Sequence, residues 1–222
     1  MKINKFPNEL NENLAEETGW HIGDGSMNYY NNQGKQKGIY QLRGHIEDDK
    51  PHYIQRIKPI FKELYGIDIS LREMPSTRVF GFQIWSSELV NFKHNLGLCL
   101  GPKIAVEIPS AFLQNEILKI AVLRGIFDTD GGIYLQKKNG KLYPRLEIKT
   151  ISNTLGEQLL SILKELGIRA TKYLESGTGP NRKPSYAIVT RGNEMFHKFM
   201  KIVNSANPKH FAKYDYFLKS GI

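Results

Sequence analysis

The sequence predicts an α+β fold made of two tandem, pseudo-symmetric αββαββα units. Three observations carry that expectation: a repeat at a fixed offset, paired strand-like stretches around turn residues, and helical stretches with one apolar face. The repeat comes first. Adding 106 to Ala15, Gly19, Gly23, Asp24 and Gly25 gives Ala121, Gly125, Thr129, Asp130 and Gly131. The same offset carries Pro102 and Lys103 onto Pro208 and Lys209, so Asp to Lys is 103 − 24 = 209 − 130 = 79 residues in both copies. Between these anchors the register slips: FKELYGI at 61–67 matches LKELGI at 163–168, as unequal loop lengths require. The expected organisation is a first unit at 1–100, a linker at 101–110 and a second unit at 111–222.

Each unit is expected to open with a helix, about 9–24 and 111–130, with Ser110 after Pro109 as the N-cap of the second. A hairpin follows. GIYLQKKNGKLYPRLEIKT alternates apolar and polar residues around Asn139-Gly140, a pair that accommodates the positive φ of a tight turn; its counterpart YYNNQGKQKGIYQLRGHI is looser. Then come a helix with apolar residues at three- and four-residue spacing (HYIQRIKPIFKELYG and LGEQLLSILKELG) and two more strands, IDISLRE with RVFGFQIWS and RATKYLE with SYAIVTR. ELVNFKHNLG and EMFHKFMKIVN close the units as helices.

The composition narrows the class of protein. With 222 residues, 40% of them hydrophobic, the chain can bury a real core. Its net charge of +9 points to a polyanionic partner, nucleic acid ahead of an acidic membrane surface. No stretch approaches the roughly 18 apolar residues that span a bilayer, and the polar start MKINKFPNELNEN has no signal-peptide core, so an intracellular protein is expected. Cys99 is the single cysteine, which excludes an internal disulfide and a cysteine-based zinc site; in LGLCLG it reads as core packing.

The chemistry concentrates at the ends of the two opening helices. Ala15, Gly19 and Gly23 lie four apart, as do Ala121, Gly125 and Thr129, so each helix carries a stripe of small residues on one face. Two such stripes let helices approach almost backbone to backbone, and parallel packing brings Asp24 and Asp130 out side by side. Two carboxylates so placed repel, and a hard divalent cation with oxygen ligands is the natural remedy. Such a site suits phosphodiester hydrolysis. A lone Asp-Gly at a helix end is commonly just a turn with a glycine cap. Two copies in one register, each followed at the same distance by Pro-Lys, reverse those odds, and acids at a helix C-terminus oppose its dipole.

LRGIFDTDG at 123–131 resembles the nine-residue motif of the LAGLIDADG family of homing endonucleases and related maturases, with Leu123, Gly125, Asp128, Asp130 and Gly131 at its characteristic positions. ETGWHIGDG at 17–25 is a weaker copy, keeping Gly19, Asp24 and Gly25 but placing Ile22 where the motif's first acid stands. The resemblance spans nearly the whole chain. It implies motif helices packed together over a saddle-shaped antiparallel sheet that binds DNA. It further implies Asp24 and Asp130 as metal ligands, with the backbone carbonyls of Gly23 and Thr129, while Asp128 supports its helix end. Lys103 and Lys209 correspond to basic residues near the attacking water or scissile phosphate. His45 or Glu47, and Lys149 or Thr150, are the candidates for ordering water late in the second strands. The implied activity is Mg²⁺-dependent cleavage of both DNA strands, with Mn²⁺ as a substitute and Ca²⁺ binding without cleavage. The resemblance implies an enzyme encoded within an intron; an intein is less expected, because residue 1 is not a splicing nucleophile and no terminal His-Asn pair is present. An RNA-binding maturase that acts on intron RNA without cutting DNA is the alternative.

Strand alternation separates a polar, basic and aromatic face from the packing face. Tyr134, Gln136, Lys138, Tyr143, Arg145, Glu147 and Lys149 form it in the second unit, with Arg191 on the last strand. Gln41, Arg43, His45, Arg78, Gln83 and Trp85 form it in the first. Such a ribbon fits the major groove, where Arg and Lys pair with guanine and Gln with adenine. Arg182 and Lys183, in the loop GTGPNRKPS, are candidates for gripping phosphate. The two units differ at nearly every polar strand position, so the expected partner is a long, non-palindromic double-stranded target read by a monomer.

Overall fold

In the computed structural model, which describes residues 3–32, 34–177 and 184–220, the expected element order appears in both halves. The first half runs α1 (Glu12–Asp24), β1 (Gly25–Asn32) and β2 (Lys35–His45), then α2 (Lys50–His52), which continues through a π-helical turn (Tyr53–Ile57) into α3 (Lys58–Tyr65). It ends with β3 (Arg72–Met74), β4 (Val79–Trp85) and α4 (Ser87–Asn95). The second half has α5 (Glu116–Asp130), β5 (Gly131–Lys138), β6 (Lys141–Thr150), α6 (Asn153–Glu165), β7 (Thr171–Glu175), β8 (Ser185–Arg191) and α7 (Asn193–Ile202). The helix α8 (Pro208–Lys219) follows.

Each half forms one antiparallel four-stranded sheet, ordered β1-β2-β4-β3 and β5-β6-β8-β7. The 106-residue offset survives in the ladders: Gly25 faces Leu42 as Gly131 faces Ile148, and Ile39 faces Trp85 as Arg145 faces Arg191. Asn139 and Gly140 take φ of 51° and 78°, the pair of positive values that a two-residue hairpin turn needs. Tyr40, Leu42, Leu146 and Ile148 point into a core that runs through both halves, while the residues alternating with them face away from it. Cys99 packs half-buried against that core.

Several boundaries depart from the sequence expectation for identifiable reasons. Helix α1 begins at Glu12 because Asn11 takes extended backbone and its side chain accepts from Leu14 N at 2.9 Å. Ser110 caps nothing and starts a 3₁₀ turn (Ser110–Leu113); Asn115 caps α5 instead, accepting from Ile117 N and Leu118 N. Strand β3 is shorter than 67–73 because Ile67 and Ile69 are buried in the core before the ladder begins. Helix α8 was not expected at all, although Asn207-Pro208 is a sound start signal: Asn207 accepts from Lys209 N, and proline suits the first helical position. Among the described residues no helix is long and apolar enough to cross a membrane.

The halves meet where α1 and α5 pack in parallel along their small residues. A Cβ on Gly19 would land on the Val122 carbonyl oxygen and lie 2.8 Å from Gly125 Cα; one on Gly125 would land on the Glu16 carbonyl oxygen and lie 2.9 Å from Gly19 Cα. Beside this contact, buried Glu16 accepts from Arg56 of the π-helical turn and from Arg124 of α5, and Arg124 also donates to Glu12 and to the Val203 carbonyl. Buried Glu17 pairs with buried Lys93 and accepts from the hydroxyls of Tyr40 and Tyr65. These charges are retained inside because each has partners.

Gly125→Ala should therefore force the two helices apart. The expected loss is about 1–3 kcal/mol of unfolding free energy, the usual cost of overpacking a close-packed interface. Chemical denaturation of the variant beside the parent checks it, and an unchanged midpoint would show that the backbones are not in contact.

Candidate active site and nucleic-acid interface

The parallel packing delivers Asp24 and Asp130 to the same end of the helix pair. A Cβ on Gly23 would meet the Thr129 side chain and lie 3.4 Å from Asp130 Cγ. Gly44 of β2 gives Asp24 its room, since a Cβ there would lie 2.9 Å from Asp24 Oδ2 and 2.8 Å from Asp49 Oδ2. The Tyr53 hydroxyl approaches Asp24 Oδ2 at 3.5 Å. Asp130 keeps solvent-accessible surface and Asp24 is half-buried, yet protein surrounds both. Desolvation, and then repulsion from Asp130 and Asp49, push the Asp24 carboxyl well above the usual carboxylate range, against the pull of Lys103 and Lys209. Desolvation raises Asp130 to about 6 even though both lysines oppose it.

The two lysines reach this end by different routes. Lys103 Nζ donates to the Ile22 carbonyl at 2.9 Å and to the Gly23 carbonyl. Burial lowers the Lys103 pKa, against the attraction of Asp130 and Asp24. Lys209 Nζ instead pairs with Asp49 Oδ1 at 2.7 Å, an oxygen that also accepts from Asn207 Nδ2 at 3.0 Å. Asp49 Oδ2 accepts from His45 N, which completes a bridge between the halves. Asp49 and Asn207 were not singled out in the sequence. Lys103, Asp130, Lys149 and Thr150 share a cavity of about 240 Å³.

The donor chemistry of this cluster fits a hard divalent ion. Two carboxylates that are costly to ionise together flank a backbone carbonyl that already draws an ammonium group to itself. Among the described residues no group of three or more His, Cys, Asp or Glu side chains is arranged to hold a metal. The Gly23 carbonyl lies beside Lys103 at this end of the helices.

Asp128 does a different job from its neighbour: it supports its helix end through partners distant in the sequence. It is fully buried, accepts from Ser205 Oγ at 2.5 Å and Ala206 N at 2.9 Å, and so ties the segment before α8 to the end of α5. The helix end is capped by its own backbone, Gly131 N to Phe127 O. Burial raises the Asp128 pKa, but hydrogen bonds from His210 and Ser205 and the nearby His52 outweigh it and hold the acid below its ordinary value. Ile22 and Cys99 occupy the positions that the 106-residue offset gives to Asp128 and Ser205, so the first half replaces a polar anchor with an apolar pair.

The candidate DNA-facing residues fall on one face of each sheet. In the first sheet Gln41 lies opposite Gln83, Arg43 Nη2 donates to Gln83 Oε1 at 3.3 Å, and Trp85 is exposed. His45 ends β2 and pairs with Asp48. Glu47 is exposed in the following turn, whereas Thr150 Oγ1 accepts from Ser152 N. Arg78 sits off the strands, in the turn before β4 with φ of 54°. In the second sheet Tyr134, Gln136, Lys138 and Tyr143 are exposed, Glu147 is buried beneath Arg145 and Lys149, and Lys149 also pairs with Glu175. Arg182 and Lys183 lie outside the described residues. Ser26, Asn28, Tyr30, Arg72 and Tyr173 share these faces and were missed. The alternation of β1 alone could have revealed the first three.

Known proteins share features with this chain. Residues 118–204 match the LAGLIDADG-like domain. Over 92% of its length the chain also has the fold of the homing endonuclease I-DmoI solved with DNA and Ca, at a TM-score of 0.66 and 19% identity, covering 97% of that chain. The LAGLIDADG homing endonuclease I-GzeII with its DNA target is similar at TM-score 0.59 and 13% identity, over 96% of this chain and 90% of that one. The LAGLIDADG meganuclease I-AabMI on uncleaved DNA follows at 0.57 and 11%, over 95% and 90%. In sequence the chain is 28% identical over 206 residues, 92% of its length, to the replication factor C small subunit of Methanocaldococcus jannaschii. It spans only 10% of that protein's length.

The raised pKa of Asp130 has a sign that stability measurements can read. Its ionisation opposes folding: the penalty is absent below the ordinary value of 3.8, grows as pH rises toward about 6, and is complete above that. Metal-free Asp130→Asn should therefore melt at a higher temperature than the parent above pH 6, with the advantage vanishing near pH 4. Thermal unfolding in EDTA across that range checks it, and an equal or lower melting temperature at pH 7.5 would contradict the assignment.

Proposed function

We propose that the protein is a site-specific double-strand DNA endonuclease of the homing type. It acts as a monomer on a long non-palindromic target, uses Mg²⁺, and is carried within a host gene as an intron reading frame. The observation that carries this reading is the convergence of Asp24 and Asp130 on two glycine-packed helices, each with a lysine at hand, between two polar sheet faces. The likeness in fold to homing endonucleases solved on DNA with Ca or Mn supports it.

In this reading Asp24 and Asp130, with the carbonyls of Gly23 and Thr129, hold the metal where the two half-sites meet. A bound divalent ion there would activate water and neutralise charge on the phosphodiester oxygens. Lys103 places a positive charge at the Gly23 carbonyl, poised for a phosphate oxygen. Lys209 is the corresponding charge of the second half, held in place by Asp49 until a phosphate competes for it. The sheet faces supply register and sequence readout along the groove.

The test is incubation with DNA carrying the uninterrupted insertion locus, with Mg²⁺ and then with EDTA. Asp130→Asn should cut at least about 10³-fold more slowly than the parent, since a metal supplies several kcal/mol of transition-state stabilisation. Undiminished cleavage by the variant, or none by the parent, overturns the assignment. The flanking gene tests the intron: an unbroken reading frame through the chain on both sides would replace it with an in-frame insertion. That arrangement would also fit the match to a tenth of a longer protein.

A further inference from the structure

Two positions on the second sheet set like charges opposite each other: Lys138 faces Lys141 beside the hairpin turn, and a second pair lies in mid-sheet between β6 and β8. Arg145 of β6 and Arg191 of β8 stand directly opposite each other. Like charges so placed are destabilising in the free protein. The neighbours do little to cancel them. Glu147 approaches Arg145 Nη2 only at 3.5 Å and is shared with Lys149, and among the described residues no carboxylate pairs with Arg191.

What the neighbours do instead is fix the two guanidinium groups in place. The Arg145 guanidinium lies 4.6 Å from the Tyr134 ring centre, and that of Arg191 lies 5.3 Å from the Tyr173 ring with Nη1 donating to the Tyr173 hydroxyl at 3.0 Å. Stacked arginines keep their planar forks of donors and lose less freedom on binding. Both line an open concavity of about 470 Å³, together with Tyr134, Gln136, Tyr143 and Pro144. A local conflict only partly compensated within the protein, lining a recess, marks a place where an outside acceptor completes the structure.

We propose that Arg145 and Arg191 form a guanine-reading pair. The half of the target covered by the second unit would then carry guanine at one or two adjacent base pairs facing them, each read through O6 and N7 in the major groove. This rests on the reading of the sheets as a DNA interface. The first half lacks the device. The offset of 106 places Ile39 opposite Trp85 there, since 39 + 106 = 145 and 85 + 106 = 191. Isoleucine has no side-chain donor and tryptophan one, so neither can satisfy both acceptors of guanine. The first half therefore has no arginine pair at the corresponding positions.

The experiment is selection by the full-length protein, in Ca²⁺, from a pool of random double-stranded DNA, repeated with Arg145→Ala and Arg191→Ala. The parent should enrich guanine at one or two adjacent positions in one half of the selected site. Each variant should lose that preference by about ten- to a hundred-fold, the discrimination a bidentate pair supplies, and keep the rest of the sequence. In a second arm, 7-deazaguanine at the enriched positions removes N7 and should weaken binding by the parent, which needs no variant to fold. Variants that keep the guanine preference overturn the pair. So do variants that weaken binding to every sequence alike with a shallower salt dependence, the behaviour of phosphate contacts. A defined target with no guanine that depends on Arg145 or Arg191 overturns the pair but leaves the endonuclease reading standing, whereas a parent that selects no sequence overturns both.

Discussion

The backbone contact between Gly19 and Gly125 is the constraint on which the remaining architecture depends. Helices that touch through main-chain atoms have no side chains left to set their spacing, so the distance between Asp24 and Asp130 is fixed by the stripes themselves. The same closeness produces the electrostatic cost at the helix ends. Two carboxylates are brought together where protein displaces water, and the lysines that approach them do not fully offset the penalty. Flanking ion pairs steady the interface without entering it: Glu16 with Arg124 and Arg56 lies to one side, and the buried Glu17–Lys93 pair lies within the first half.

Pseudo-symmetry in the backbone is accompanied by divergence in the side chains. The same pair of positions is Asp128 with Ser205 in one half and Ile22 with Cys99 in the other. Lys103 leans on backbone carbonyls of its own half, whereas Lys209 crosses to Asp49 of the other. The two ends of one site are thus chemically unequal, and the two sheets are unequal in the same sense, with Gln41 opposite Gln83 in one and Glu147 opposite Val189 in the other. A duplicated fold held to one geometry can vary all of these while the glycine contact keeps the acids together.

Periodicity and repetition made most of the fold legible. The small-residue stripes foretold the parallel helix pair, Asn139-Gly140 the hairpin, and strand alternation the faces on which nearly all the candidate contact residues lie. Element ends were less legible because caps compete locally. Ser110 and Asn115 are both plausible starts, and only the geometry of the preceding turn decides between them. Helix α8 was missed because EMFHKFMKIVN already completes the repeat, so a further helix had no counterpart to suggest it.

Asp49 shows where sequence reasoning stops. It stands at the position before Lys50-Pro51 where an aspartate ordinarily caps a helix, yet its side chain makes no capping bond. Both carboxylate oxygens are committed elsewhere, to His45 N within the first half and to Asn207 and Lys209 of the second, 158 and 160 residues away. No local pattern distinguishes such an aspartate from a cap, because the residue type, the spacing and the following proline are the same in both cases. The difference lies in which donors the folded chain brings to it, and here those donors arrive only because the two opening helices pack close enough to bring the halves together.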